Sequence, residues 1–202
     1  MNRIAIFASG TGSNAQKIVE HLASPSQTSS PKERGKTKNL TAGVTLIVSN
    51  KSDAGVLKIA QASKIPTLII DKEKFFRGNG YAEELKNAGI GLIVLAGFLW
   101  KIPVSLINAY PKKIINIHPA LLPNYGGKGM YGHFVHEAVI RSGDKESGIT
   151  IHYVDEIYDH GQIILQVKCL VSPADTAETL AKKVQALEHR HFPPAVALLA
   201  TL

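Results

Sequence analysis

Between Ile90 and Ala96 the chain reads I-G-L-I-V-L-A, a run without one hydrogen-bonding side chain. Such a strand tolerates water on neither face, so it belongs in the middle of a parallel sheet layered between helices. The flanking sequence supplies the layers. Arg3 to Ala8 (RIAIFA) is a short apolar strand ending in the turn Ser9-Gly10-Thr11-Gly12-Ser13-Asn14. Beyond it Ala15, Ile18, Val19 and Leu22 repeat at helical spacing. Val44 to Val48 and Thr67 to Ile70 are further strands, with a helix over Gly55 to Ser63 between them and another over Gly80 to Asn87. Strands alternating with helices predict a doubly wound, Rossmann-like α/β fold.

Helical spacing returns near Pro103 to Asn108 and near Val135 to Arg141. After that, Gly148 to Val154 and Gln162 to Val171 are two strands joined by a short acidic turn, which predicts an antiparallel ribbon at the sheet edge. Thr176 to Glu188 carries Leu180, Val184 and Leu187 on one helical face, and Pro193-Pro194 predicts a break before a short final helix. The expectation is one domain over residues 1–202: a mostly parallel sheet, helices on both faces, and a C-terminal antiparallel strand addition. Ser24 to Asn39, with two prolines and four serines, is expected to be an exposed loop.

Composition narrows the function. No apolar stretch reaches membrane-spanning length, and the run Ile4 to Ala8 is too short for a signal peptide. The single Cys169 cannot form an intramolecular disulfide, fits a reducing cytoplasm and argues against a structural zinc site. The formal charge of +7 suits either nucleic acid or small polyanionic substrates. Its densest run, Lys32 to Lys38, falls in the expected loop and reads as solvated. With aromatics at 6% and no cluster of them among basic residues, a nucleic-acid surface is disfavoured.

The residues suited to chemistry stand at strand ends. In Ile114-Ile115-Asn116-Ile117-His118-Pro119-Ala120-Leu121-Leu122-Pro123 an apolar strand runs into two prolines. Asn116 and His118 alternate, so they share a face, and Pro119 ends regular pairing just beyond them. Open α/β sheets place ligands at the carboxyl ends of their strands. A donating amide beside a proton-carrying imidazole suits stabilisation of a developing oxyanion. The plain alternative is a capped strand end with a satisfied histidine.

The turn after the first strand lacks the Lys of a P-loop and the third glycine of a dinucleotide fingerprint. Backbone N–H groups at the helix start suit a single phosphate; the plain alternative is a tight turn with Ser13 as N-cap. In Asp155-Glu156-Ile157-Tyr158-Asp159-His160-Gly161 any of the three acids can be the partner of His118, fixing its orientation and favouring its charged form. An ordinary acidic hairpin turn is the alternative. His152, His160, Asp159 and His118 match no standard metal-ligand spacing. Leu95 to Pro103 (LAGFLWKIP) turns through Gly97 into the only tryptophan, which suits a pocket for a flat heterocycle, or simply a core aromatic in the case of Phe98. Asn124 to His133, with four glycines, predicts a mobile lid.

In this order the pieces resemble the folate-dependent formyltransferases, above all the branch acting on glycinamide ribonucleotide. The matching segments are FASGTGSNAQ (Phe7 to Gln16), VSNKSDAG (Val48 to Gly55), LAGFLWKIP (Leu95 to Pro103) and INIHPALLP (Ile115 to Pro123). GITIHYVDEIYDHGQIILQ (Gly148 to Gln166) and VQALEHRHFP (Val184 to Pro193) complete them. The resemblance implies formyl transfer from 10-formyltetrahydrofolate, as cosubstrate, to the amine of glycinamide ribonucleotide in purine biosynthesis, without a metal. It implies Asn116, His118 and Asp159 as the catalytic group. Gly12, Ser13 and Asn14 would hold the phosphate, Glu188 the ribose or amine end, and Pro119 and Gly127 would border the substrate path. Leu99, Trp100, Lys101 and Ile102, with Asn116 and the turn Val154, Asp155 to Asp159, would enclose the pterin. The partners implied are small molecules, with no nucleic acid and no membrane, around a cytoplasmic monomer or homodimer.

Two departures from the family pattern stand out. Many members carry an arginine just after Gly-Phe-x, where this chain has Trp100, so that side chain's role does not carry over. The loop Gly126 to Phe134 is also longer than the common pattern. On this reading the positive charge steers the phosphate and the anionic folate tail, with Lys72 and Lys74 as candidates. The nearest other readings are formyltetrahydrofolate hydrolase, with an extra N-terminal module, and methionyl-tRNA formyltransferase, with an extra C-terminal barrel. A first strand at Arg3 and an end soon after Pro194 favour the ribonucleotide branch over both. A non-catalytic nucleotide- or RNA-binding α/β domain is the reading from a different class.

Overall fold

A computed structural model describes residues 2–23 and 42–202; the expected Ser24 to Asn39 loop and its Lys32 to Lys38 run lie outside the described residues. The strands are β1 (Asn2–Phe7), β2 (Ala42–Ser49), β3 (Thr67–Ile69), β4 (Ile90–Leu95), β5 (Ile114–His118), β6 (Glu146–Tyr153) and β7 (Ile163–Leu170). They form one sheet in the order β3-β2-β1-β4-β5-β6-β7. Pairing is parallel from β3 through β5 and antiparallel from β5 to β7. The order reverses between β1 and β4, which opens a crevice at the carboxyl ends of the parallel strands.

β4 is covered as its composition demands. Leu92 and Val94 enter one apolar core, Ile93 and Leu95 the other. The first core is closed by α1 (Ser13–Ala23), α2 (Val56–Ala62), α6 (His133–Ser142) and α7 (Ala177–Leu199), through Ile18, Val56, Val139 and Val184. The second is closed by α3 (Lys72–Arg77), α4 (Ala82–Asn87) and α5 (Val104–Ala109), through Phe75, Leu85 and Leu106. Each fully buried side chain of this kind contributes about 1.5–3 kcal/mol, so the two layers hold the sheet between them. Val94→Asp would set an unpaired charge in that dry layer, the kind of change such a core does not accommodate.

Two elements differ from the sequence expectation. α3 was not anticipated: it has six residues with only Phe75 buried, too few for a helical period to show. Its start is nonetheless written in the chain, because Asp71 accepts from the Lys74 N–H at 2.9 Å as an N-cap. The expected break at Pro193-Pro194 does not occur, and α7 runs unbroken through both prolines to Leu199. An interior proline costs about 3 kcal/mol or more. Here Phe192, Pro193, Val196 and Leu199 are all buried, and packing at about 1.5–3 kcal/mol for each large side chain offsets the lost backbone bonds. Among the described residues no helix is long and apolar enough to cross a membrane.

Candidate active site

β5 ends in Asn116 and His118 on one face. β6 lies antiparallel in a register that sets His152 opposite Asn116 and Thr150 opposite His118. Directly opposed residues share a face, so four polar side chains converge beside the crevice. Thr150 secures the segment that follows the strand: its hydroxyl donates to the Ala120 carbonyl at 2.7 Å and accepts from the Leu122 N–H at 3.0 Å. Gln166 Nε2 adds a bond to the same hydroxyl at 2.9 Å.

His118 is 3% exposed. Its Nε2 donates to the Tyr125 carbonyl at 2.7 Å; a carbonyl only accepts, so that nitrogen carries hydrogen. Nδ1 therefore faces Asp159, whose Oδ2 lies 3.6 Å away. Of the three acids the sequence left open, Asp159 is the one brought to His118. Asp155 instead accepts from His160 Nδ1 at 2.9 Å, and Glu156 is exposed. The acidic turn reaches this position because a Cβ at Gly161 would fall 1.8 Å from the Tyr153 carbonyl oxygen, an approach open only to glycine.

A second wall comes from α1 and α7, where Asn14 Nδ2 donates to Glu188 Oε2 at 2.9 Å. Burial pushes the Glu188 carboxyl above its ordinary value, against the lowering influence of that bond. The turn before Asn14 needs glycine at residue 12, where φ is +83° and a Cβ would meet Val56 at 2.8 Å. A third wall follows β4. Ser9 anchors the turn there, its N–H donating to the Gly97 carbonyl and its hydroxyl accepting from the Leu99 N–H, both at 3.0 Å. Trp100 packs against Phe75, Phe76 and Phe98 with ring centroids 5.7, 5.5 and 6.3 Å away.

The three walls enclose a cavity of about 880 Å³, a size suited to a substantial organic ligand. Asn116, His118 and Asp159 line it together with Asn14, Pro119, Gly127 and Glu188. So do Leu99, Trp100, Lys101, Ile102, Val154 and Asp155. Of the residues expected at the site, Gly12 and Ser13 are not on the wall. They lie just before it, and Ser13 Oγ accepts from Gln185 Nε2 at 3.4 Å. α1 starts at Ser13, so Gly12 rather than Ser13 stands at the cap position. Lys72 and Lys74 are likewise off the wall: Lys74 pairs with Glu84. The lysines that line the cavity are Lys101, Lys128 and Lys182.

Sequence reasoning missed Thr150 and His136 and gave His152 no role. Thr150 and His152 carry a period-two signal, but only the β5–β6 register turns it into a shared face. His136 lies on α6 at 5% exposure and lines the cavity. Burial, then the nearby His118 and His133, hold its imidazole below the usual value.

Comparison with known proteins agrees with this geometry. A family model described as formyl transferase matches residues 2–196. A chloroplastic phosphoribosylglycinamide formyltransferase of Arabidopsis thaliana is 42% identical over 195 residues, covering 94% of this chain and 62% of its own length. A phosphoribosylglycinamide formyltransferase of Bacillus subtilis is 35% identical over 206 residues, covering 100% of this chain and 96% of its own. The chain thus spans less than two thirds of the plant relatives it matches. Among solved structures, glycinamide ribonucleotide transformylase 1 of Geobacillus kaustophilus superposes with a TM-score of 0.82 at 33% identity, covering 99% of both chains. The corresponding protein of Symbiobacterium toebii gives 0.84 at 30% identity, over 99% of this chain and 88% of that one. With its polar trio, its cavity and these matches along its whole length, the chain belongs to the formyl transferase family.

Proposed function

We propose that this chain transfers the formyl group of 10-formyltetrahydrofolate to the amine of glycinamide ribonucleotide, releasing formylglycinamide ribonucleotide and tetrahydrofolate. The observation that carries the reading is one cavity in which Asn116, His118 and Asp159 share a wall with both flanking sets of residues. Asn14 and Glu188 form one flank, and Leu99 to Ile102 with Val154 and Asp155 form the other. The names of the Arabidopsis and Bacillus relatives support it. The lone Cys169 supports a cytoplasmic setting.

The chemistry follows from the side chains. When the amine adds to the formyl carbon, the formyl oxygen gains negative charge, and donors already in place stabilise that state more than the ground state. Asn116 supplies an amide hydrogen. His118 supplies a second donor at Nδ1 in its imidazolium form, because its Nε2 hydrogen is committed to Tyr125. The 3.6 Å between Nδ1 and Asp159 Oδ2 is an ion-pair distance rather than a hydrogen bond. The Nδ1 hydrogen thus stays available to a substrate oxygen, with the Asp159 carboxylate beside the ring. Asp159 passes the proton lost by the amine toward the departing folate nitrogen. A carbon–nitrogen bond forms, another breaks, and the proton follows the leaving group.

The test is tetrahydrofolate release, followed spectroscopically with glycinamide ribonucleotide or with water alone as acceptor. Release that depends on the ribonucleotide is expected; equal release with water would make the chain a hydrolase. His118→Ala should lower turnover about a hundred- to a thousandfold, and a variant within a few-fold of the parent would remove His118 from the mechanism.

A further inference from the structure

The amide of Asn116 can donate to a substrate oxygen only if its nitrogen, and not its oxygen, is held in the right place, and an asparagine side chain has little of its own to fix that choice. β6 supplies what fixes it. His152 stands directly across the ladder from Asn116 and is 2% exposed. Its Nδ1 lies 2.8 Å from the Tyr153 carbonyl oxygen, which can only accept, so the ring hydrogen sits on Nδ1. Nε2 of the neutral ring is then a bare acceptor, and Asn116 Nδ2 lies 3.2 Å from it.

We infer that His152 is a positioning residue: as the neutral Nδ1–H tautomer it accepts one amide hydrogen of Asn116 and so leaves the other for the formyl oxygen. This rests on the oxyanion role proposed for Asn116. The opposite arrangement, with the Asn116 oxygen toward His152, requires hydrogen on both ring nitrogens and hence a buried cation. The groups facing the ring are Asp159, Asp155 and His118. Asp159 Oδ1 is 3.7 Å from Nε2, outside direct hydrogen-bond reach. Burial, the largest influence, holds the imidazole below its usual value; the Tyr153 carbonyl, Asp159 and Asp155 oppose this, and His118 reinforces it. The ladder between β6 and β7 also shifts register between Ile151 and His152. Irregularities of that kind re-aim a side chain beside a functional site.

Two measurements on the full chain test this. In the parent labelled with nitrogen-15 histidine, the His152 ring should show a protonated Nδ1 and a bare Nε2 throughout the neutral range. A hydrogen on Nε2 would overturn the inference. In kinetics, His152→Phe keeps the ring volume but removes the acceptor. It should lower kcat on the order of tenfold, the scale of one buried hydrogen bond, with KM for both substrates and the pH profile unchanged. His152→Gln, which returns an amide oxygen near the Nε2 position, should recover most of the loss. Parental kcat in His152→Phe would overturn the inference, and a displaced pH limb would make His152 a proton carrier instead. If the parent shows no formyl transfer, the catalytic reading fails by itself. The side-chain amide signals of Asn116 then decide: one downfield, slowly exchanging hydrogen in the parent that moves upfield and exchanges faster in His152→Phe supports positioning, and no change refutes it.

Discussion

The backbone N–H of Gly127 donates to Oδ2 of Asp159 at 2.9 Å, the same oxygen that faces His118. One carboxylate oxygen therefore serves both the imidazole and the glycine-rich loop that follows β5. Asp159→Asn separates these roles, because an amide oxygen still accepts from Gly127 but carries no charge toward His118. The expected result is a loss of kcat of roughly a hundredfold or more, with a melting temperature within a degree or two of the parent. Steady-state rates and a thermal melt on the same preparation check it. A variant with parental kcat would confine Asp159 to holding the loop.

Trp100 is the only tryptophan in the chain, and it lines the cavity from within a cluster of three phenylalanines. Its fluorescence is therefore a direct report on the wall proposed for the pterin. Titration with a tetrahydrofolate analogue should quench and shift the emission to a saturating end point, while inorganic phosphate leaves it unchanged. Emission indifferent to the folate would move the pterin to another wall. This wall is aromatic, so Trp100→Ala should raise the folate KM by about five- to tenfold, the scale of one lost aromatic contact, with little effect on the ribonucleotide KM.

The parallel half of the fold is legible because its strands from Arg3 to His118 are short, largely apolar and bounded by turns, and α1, α2 and α4 each bury residues three or four apart. Asn116 and His118 were legible for the same reason: alternation alone puts them on one face. What stayed hidden depends on register and on distance along the chain. No local pattern sets His152 across from Asn116 or selects Asp159 over Asp155; both follow from the β5–β6 pairing and from the close approach at Gly161. At Pro193-Pro194 the local rule was outweighed, because tertiary burial on both sides of the prolines keeps α7 continuous. Lys72 and Lys74 follow a strand in the sequence, but only the folded chain shows that neither lines the cavity and that Lys74 pairs with Glu84.

Asp175 stands just before α7, where its carboxylate meets Lys183 Nζ at 2.5 Å, the Ser172 N–H at 2.7 Å and the Thr179 hydroxyl at 2.9 Å. The Lys183 bond, then the Ser172 N–H, bring its carboxyl from an ordinary 3.8 down to about 2. A carboxylate whose folded value is depressed stabilises the fold above its unfolded value and loses that contribution as pH falls through the folded one. Asp175→Asn should therefore melt a few degrees below the parent at neutral pH. The gap should narrow as pH falls from about 4 toward 2. Melts across that acid range check this; a gap that stays constant would mean that packing, not charge, sets the difference.

Glu188 has the opposite linkage. Burial raises its carboxyl, and the only opposing influence is the Asn14 bond. An acid with a raised folded value favours the fold while protonated and loses that advantage as pH climbs through the carboxylate range. As pH climbs past that range, a charge on the buried Glu188 therefore works against the fold, on the wall proposed for the ribose or amine end of the substrate. Glu188→Gln removes the charge and keeps an amide that can bond Asn14. It should melt above the parent at neutral pH, and the two should converge below about pH 4. The same variant should bind the ribonucleotide about tenfold more weakly, as expected when a charge-assisted hydrogen bond becomes neutral, while the folate KM holds. Melting curves at two pH values and the two KM values decide the matter. If Glu188→Gln melts lower at neutral pH, the carboxylate is a structural anchor; if ribonucleotide KM is unmoved, the substrate lies elsewhere along α7.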